Sequence, residues 1–252
     1  MSKYDSFLYF HSDKFTTDWY DALGKMKPGA HAVAICPVLE HHRITQRVED
    51  SGFEIRDSIL FLGEPKLIVT LARVPLEGTV AQNVLKHGVG ALNIDKCRIG
   101  FTSEKERERH SQEWDRNWKS RIIHYWDDQI GNHPGPKMEK GSGPKLAEGR
   151  WPANCILSKC PSIIEKFPTS IGARSQNNNS SVNIYQGQSF NKSETRLDGF
   201  REWYNDSGSA ARFFHQVEGD IVDGLVKYLV KLINPPGGKV LFLGSTRYDE
   251  HQ

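Results

Sequence analysis

Cysteine is scarce and scattered. The four present, Cys36, Cys97, Cys155 and Cys160, form no C-x-x-C pair and have no neighbouring histidine pair. That excludes a disulfide framework and offers no zinc-ligand spacing, so reduced thiols and no metal are expected. No apolar run reaches the roughly 18 residues of a membrane-spanning helix, and no charged-then-apolar leader opens the chain, so neither a membrane span nor a signal peptide is expected. An excess of one charge sign is also missing: 33 Lys and Arg stand against 31 Asp and Glu, a formal net charge of +2. Net charge therefore argues neither for nor against a nucleic-acid partner, and local clusters must decide. Apolar residues make up only 37% of the 252. That suits an α/β core carrying long exposed segments.

The most explicit local pattern lies at residues 216–247. Ile221, Val222, Leu225, Val226, Leu229, Val230 and Ile233 recur at helical spacing behind an acidic first turn at Asp220 and Asp223. Asn234-Pro235-Pro236-Gly237-Gly238 stops the helix, because proline has no amide donor and glycine permits the turn. Lys239-Val240-Leu241-Phe242-Leu243 then reads as a buried strand with Gly244-Ser245-Thr246 as its exit loop. In open α/β sheets a ligand sits beyond the carboxyl end of such a strand.

The first 75 residues read strand, helix, strand, helix, strand, strand. Ser6–His11 is an aromatic strand followed by Ser12-Asp13-Lys14-Phe15. Thr17 is placed to cap a helix with Trp19, Leu23 and Met26 inward, ended by Lys27-Pro28-Gly29. His31–Cys36 is the second strand, His42–Ser51 a helix with Ile44 and Val48 inward, and Phe53–Phe61 and Lys66–Val74 a hairpin-like pair at the sheet's end. The pattern predicts an α/β fold with a sheet covered by helices on both faces. Residues 103–121 mix charge with Trp114 and Trp118. They read either as a solvated helix or as a DNA-facing element with Arg107, Arg109, Arg116, Lys119 and Arg121 on phosphates. Residues 175–196 read as a mobile polar loop without an assignable motif.

Helix, P-P-G-G and strand ending in Gly244-Ser245-Thr246 resemble the cofactor end of those DNA amino-methyltransferases that place this motif last. Lys27-Pro28-Gly29, Glu49–Asp57, Ala72-Arg73 with Pro75-Leu76, residues 77–101, Gly149–Asn154 and Ser207–Phe214 resemble, in order, motifs of the phage and prophage members of that family. The resemblance implies a Rossmann-like methyltransferase core at 1–76 and 207–252 with an inserted recognition lobe at 77–206. It implies S-adenosylmethionine as cofactor, held by Phe242, Gly244, Ser245 and Thr246, and DNA as partner, with Arg150 and Trp151 joining the basic residues above. A phage-encoded protein in the bacterial cytoplasm is the expected setting.

Methylating an exocyclic amine of adenine or cytosine requires a base flipped into a pocket, an aromatic ring to stack on it, and acceptors that aim its lone pair at the methyl group. The family does this with [D/N/S]-P-P-[Y/F/W] after a strand, and the equivalent here is Ser12-Asp13-Lys14-Phe15. Ser12 and Phe15 fit as acceptor and stacking ring, whereas Asp13 and Lys14 replace the stiffening prolines. The family's D-P-F-x-G-S-G-S-T has lost its Asp-Pro pair and one Gly-Ser. The acidic strand that follows it in the family has no equivalent before Gln252. Glu218–Asp223 stands where the family has H-P-[T/S]-x-K-P. The expectation is thus a methyltransferase-family protein with impaired or absent activity. The alternative is a non-catalytic relative that binds DNA, a protein partner (an active methyltransferase or a host defence enzyme) or a second copy of itself. A different enzyme reusing the crevice would have only His11, His31, His41 and His42 to draw on.

Overall fold

A computed structural model describes residues 3–11, 18–104, 106–108, 110–111, 148–171, 207–219 and 221–244. Its elements are β1 (Tyr4–Phe10), α1 (Trp19–Lys25), β2 (Met26–Pro37), α2 (His41–Asp50), β3 (Glu54–Leu62), β4 (Leu67–Arg73), α3 (Val80–His87) and α4 (Ile94–Cys97). They continue with β5 (Cys155–Ser158), α5 (Pro161–Ile164), β6 (Thr169–Ile171), β7 (Ser207–Ser209), β8 (His215–Val217), α6 (Ile221–Ile233) and β9 (Val240–Leu243). Seven strands form one sheet in the order β8-β5-β3-β4-β2-β1-β9, and β6 pairs with β7 apart from it. Within the large sheet β4 alone runs antiparallel to its neighbours. This is a Rossmann-like α/β architecture.

Strand alternation sorts the core into two layers. Phe7 and Tyr9 of β1 point to a layer with Trp19 and Ala22 of α1 and Ile44 and Val48 of α2. Leu8 and Phe10 point the other way, to Val222, Leu225, Leu229 and Ile233 of α6 and to Cys97 of α4. The helix expected at 221–233 therefore forms, and it also buries Tyr228 and Leu232.

Several expectations shift. Asp18 caps α1, accepting from the amides of Tyr20 and Asp21. Met26 is the first residue of β2, and Lys27-Pro28-Gly29 lies inside that strand rather than behind the helix. The extra residues are absorbed as an irregularity, since Tyr4 pairs with Met26 but Ser6 with His31. Gly29 makes this possible: its φ is +75°, and a Cβ there would stand 2.2 Å from Nδ2 of Asn83. The β3–β4 pair forms but sits inside the sheet, because β5 and β8 extend it beyond β3. β9 pairs only with β1 at the opposite edge and is half-buried, not buried. From the 77–206 segment, Val89, Cys97 and Ile156 enter the core, and β5 is a strand of the main sheet.

Buried Asn83 is the knot that ties the 77–90 segment down. Its Oδ1 accepts from the Glu77 amide at 2.9 Å, and its Nδ2 donates to the carbonyls of Pro28 at 2.9 Å and Val89 at 2.8 Å. A reciprocal capping box between Thr79 and Gln82 sets the start of α3.

Candidate functional site

Chain direction and helix placement single out one end of the sheet. From β1 the chain crosses through α1 on one face to β2, while β9, on the other side of β1, is entered from α6 on the opposite face. The strand order therefore reverses at β1. The carboxyl ends of β1 and β9 mark the kind of switch point outside which open α/β sheets take ligands, the candidate crevice of this fold.

Phe10 and His11 form the β1 side of this crevice, and Leu243 and Gly244 the β9 side. Tyr9 pairs with Leu243 in register, and the His11 amide donates to the Ile35 carbonyl at 2.8 Å. Gly244 packs directly on β1. Its φ is +128°, and a Cβ there would lie 2.5 Å from the Phe10 carbonyl oxygen and 2.9 Å from the Phe10 Cβ. The sheet itself thus demands glycine at this position, independently of any ligand. Phe242 is half-buried and packs against the α6-side core, while Leu243 is 40% exposed at the rim.

His11, directly after β1, carries a polar side chain at this end of the sheet. Its Nδ1 lies 2.9 Å from the hydroxyl of Tyr9, a residue that is itself buried. The two rings sit on one face of β1 because they are two residues apart. Among the described residues Nε2 has no hydrogen-bond partner. Beside it, the Cys36 thiol near the end of β2 is pushed up to about 12, first by burial and then by Glu40, and stays protonated at neutral pH. That leaves no thiolate chemistry at this edge.

The opposite end of β1 carries an anchor. The Asp5 carboxylate accepts from Lys27 Nζ at 2.6 Å and from the Lys239 amide at 2.7 Å. Burial alone would raise the Asp5 pKa, but the Lys27 and Lys239 contacts hold it below the usual carboxylate range. Ser6 Oγ donates to Asn234 Oδ1 at 2.8 Å, and Asn234 Nδ2 donates to the carbonyls of Pro235 and Gly238. The P-P-G-G turn is thereby fixed to β1, which sets the position of β9 and of the crevice.

Of the expected cofactor and base-clamp residues, Phe242 packs on the α6-side core and Gly244 on Phe10, whereas Ser12, Phe15, Ser245 and Thr246 lie outside the described residues. So do Arg109, Arg116, Lys119, Arg121 and the 175–196 loop. Arg107 is exposed, pairs with Glu104 at 3.4 Å, and lines an open cleft with Phe101, Thr102, Ser103 and Glu148, away from the crevice. Arg150 is turned inward. It pairs with Glu106 and stacks over the rings of Phe101 at 5.3 Å and Phe213 at 4.7 Å, joining three separate segments. Its neighbour Trp151 is 66% exposed, with the Arg98 guanidinium 5.8 Å from its ring centroid.

Sequence reasoning noted His11 only among loose histidines and passed over Asp5, Asn83 and Asn234. For His11 the signal was the i, i+2 spacing from Tyr9. Each of the other three has a partner distant in sequence (Lys239 for Asp5, Pro28 for Asn83 and Ser6 for Asn234), which no local pattern announces. Among the described residues no helix is long and apolar enough to cross a membrane, and no cluster of three or more metal-ligating side chains occurs.

No protein-family model and no curated protein matches the chain. Among solved structures, M1.HpyAVI in complex with SAM aligns at a TM-score of 0.26, and M1.HpyAVI alone at 0.24, each at 16% identity. Each alignment covers 29% of this chain and 44% of the other, so the chain spans under half the length of these structures. An overlap of that size is too small to carry the fold, which rests on the sheet order and helix placement above.

Proposed function

We propose that this chain is a DNA-methyltransferase-like protein whose crevice between β1 and β9 takes S-adenosylmethionine and whose macromolecular partner is DNA. The observation that carries the reading is the reversal of strand order at β1. It brings the carboxyl ends of β1 and β9, the latter closing on Gly244, to one edge of the sheet. When bound, the cofactor supplies an electrophilic methyl group. The chain's part is to hold the cofactor along Gly244, stack a flipped base on Phe15 and accept a hydrogen from its amine at Ser12. This is catalysis by positioning, and Asp13 and Lys14 in place of two prolines leave the clamp slack, so methyl transfer is slow or lost. Exposed Trp151 offers DNA a stacking surface; Arg98 beside it is paired with Asp95, and Arg150 holds that segment in place.

Calorimetric titration with S-adenosylmethionine and S-adenosylhomocysteine tests the cofactor reading. Micromolar binding supports it, and no heat at millimolar cofactor sinks it. A methylation assay on duplex DNA with Ser12→Ala and Phe15→Ala then measures what activity remains.

A second reading, a non-catalytic relative that binds a protein partner, is favoured by α3. That helix is capped at both ends, yet it shows Val80, Val84 and Leu85 (89% exposed) to solvent.

A further inference from the structure

We infer that the apolar tip Val38-Leu39, with Arg43 and Arg47 behind it, is a DNA-contact element: the two guanidiniums take phosphates and the Leu39 side chain enters the groove as an apolar wedge. The inference rests on the DNA reading proposed above and names the surface that meets the duplex.

Placement is the first observation. At the carboxyl edge β2 runs past β1, since Phe10 is level with Ile35 while Pro37 is still paired with Leu67 of β4. The chain then turns through the short 3-10 segment Val38–Glu40 into α2. Val38 and Leu39 thus stand beyond the sheet, on the strand next to the switch at β1. Neighbouring strands lie only about 4.8 Å apart, so a duplex brought to the ends of β1 and β9 also covers the end of β2.

Exposure on a fixed backbone is the second. Leu39 is 82% exposed and Val38 43%. The turn beneath them is nevertheless held: the His41 amide donates to the Val38 carbonyl, and Ile44 and Val48 anchor α2 in the core. The Thr45 and Thr70 hydroxyls, 2.8 Å apart, tie α2 to β4. An apolar side chain presented on ordered backbone binds at little further ordering cost. Leucine is among the side chains that open base steps as a wedge.

Charge is the third. Glu40 and His41 keep right-handed helical backbone, so the turn runs on into α2 and Leu39, Arg43 and Arg47 follow at four-residue intervals. Both arginines are exposed, and residues 41–48 include no acid. Glu40 lies 3.6 Å from Arg43, an exposed pair that contributes little, and Arg47 has no ion pair among the described residues. An apolar groove on a protein would take Leu39 without using the arginines. A duplex uses all three.

The test reads fluorescence anisotropy of the full chain over a range of salt, with a short mixed-sequence duplex and the same duplex carrying one mispaired base. Arg43→Gln and Arg47→Gln should each lower the slope of log affinity against log salt by about 1, because one phosphate contact is lost. Leu39→Ala should weaken binding about tenfold with the slope unchanged, since an apolar contact releases no counterion. Its loss should be larger on the mispaired duplex, whose base leaves the stack more readily. Leu39→Met, which keeps an apolar side chain of similar reach, should restore most of the affinity. Arg56→Gln removes an exposed cation from β3 and is the control, expected to change neither quantity. Unchanged binding in all three variants, or the same loss from Arg56→Gln, overturns the element and leaves the DNA reading intact. If Leu39→Ala instead splits a dimer in sedimentation while DNA binding stays unchanged, the tip is a contact between copies and the assignment falls. Failure of the unmutated chain to bind either duplex overturns both.

Discussion

At the residue scale, two buried polar side chains near the amino edge of the sheet carry more of the fold than their number suggests. Asn83 satisfies one amide and two carbonyls from three separate points of the chain. Asn83→Leu keeps the volume but strands those groups away from water, each at a cost of about 1–3 kcal/mol. An expected loss of roughly 3 kcal/mol or more should appear as a lower urea midpoint with an unchanged m-value. A surface role for Asn83 would leave the midpoint in place. His31 is the second case. Burial, and after it the charges of Arg73 and Arg56, push its pKa down to about 4 from 6.5. The folded chain therefore refuses a proton that the unfolded chain accepts. His31's contribution is fully present above about pH 6.5 and is lost as pH falls toward 4, amounting to roughly 3 kcal/mol at the lower end. His31→Gln should flatten this part of the acid limb in denaturation midpoints measured from pH 7 to pH 4. If the two limbs run parallel, burial does not hold His31 neutral.

At the element scale, the parts legible in the sequence are those whose period comes from one buried face. The spacing of Leu225 and Leu229 gives α6 within its observed bounds, and Ile44 with Val48 gives α2. Both α6 leucines are fully buried, and Leu229→Ala should cost about 2–5 kcal/mol in chemical denaturation. What stayed hidden depends on partners far away in sequence. Tyr228 and Leu232 join the core because α4 and β8 widen the buried stripe of α6 beyond a single ridge: His215 of β8 stacks on the Tyr228 ring at 3.9 Å. The start of β2 was placed five residues late because Pro28 and Gly29 read as a stop. Here they form an irregularity held by Asn83 and by the Lys27–Asp5 pair. The P-P-G-G turn shows the same limit. Its helix-stopping role is plain in the sequence, but its attachment to β1 through Asn234 and Ser6 is not. Asn234→Ala removes three hydrogen bonds and should loosen β9 locally, seen as faster amide exchange at Leu241 and Leu243 with little change in β4.

At the scale of the whole molecule, the order of strands and helices along the first 75 residues was readable, and the sheet order was not. Strands β5 and β8 are only four and three residues long and are separated by a long intervening segment, so neither carries enough period to announce that it extends the sheet. Among the described residues, their addition beyond β3 leaves the large sheet with the edges β8 and β9, and β9 is the one that borders the switch at β1. This asymmetry supplies a control for the cofactor reading. Edge strands with a single neighbour open locally at low free energy, so both edges should exchange their amides faster than β2 and β4, which have neighbours on either side. A ligand seated between β1 and β9 stabilises only the forms in which that crevice is closed. Saturating S-adenosylmethionine should therefore slow exchange in peptides spanning residues 7–16 and 238–246, with little effect on those spanning 153–158 and 213–219. Equal slowing at both edges would point to a general stabilisation by binding elsewhere. Protection confined to β5 and β8 would move the ligand site to the other end of the sheet and remove the basis for assigning the crevice at β1.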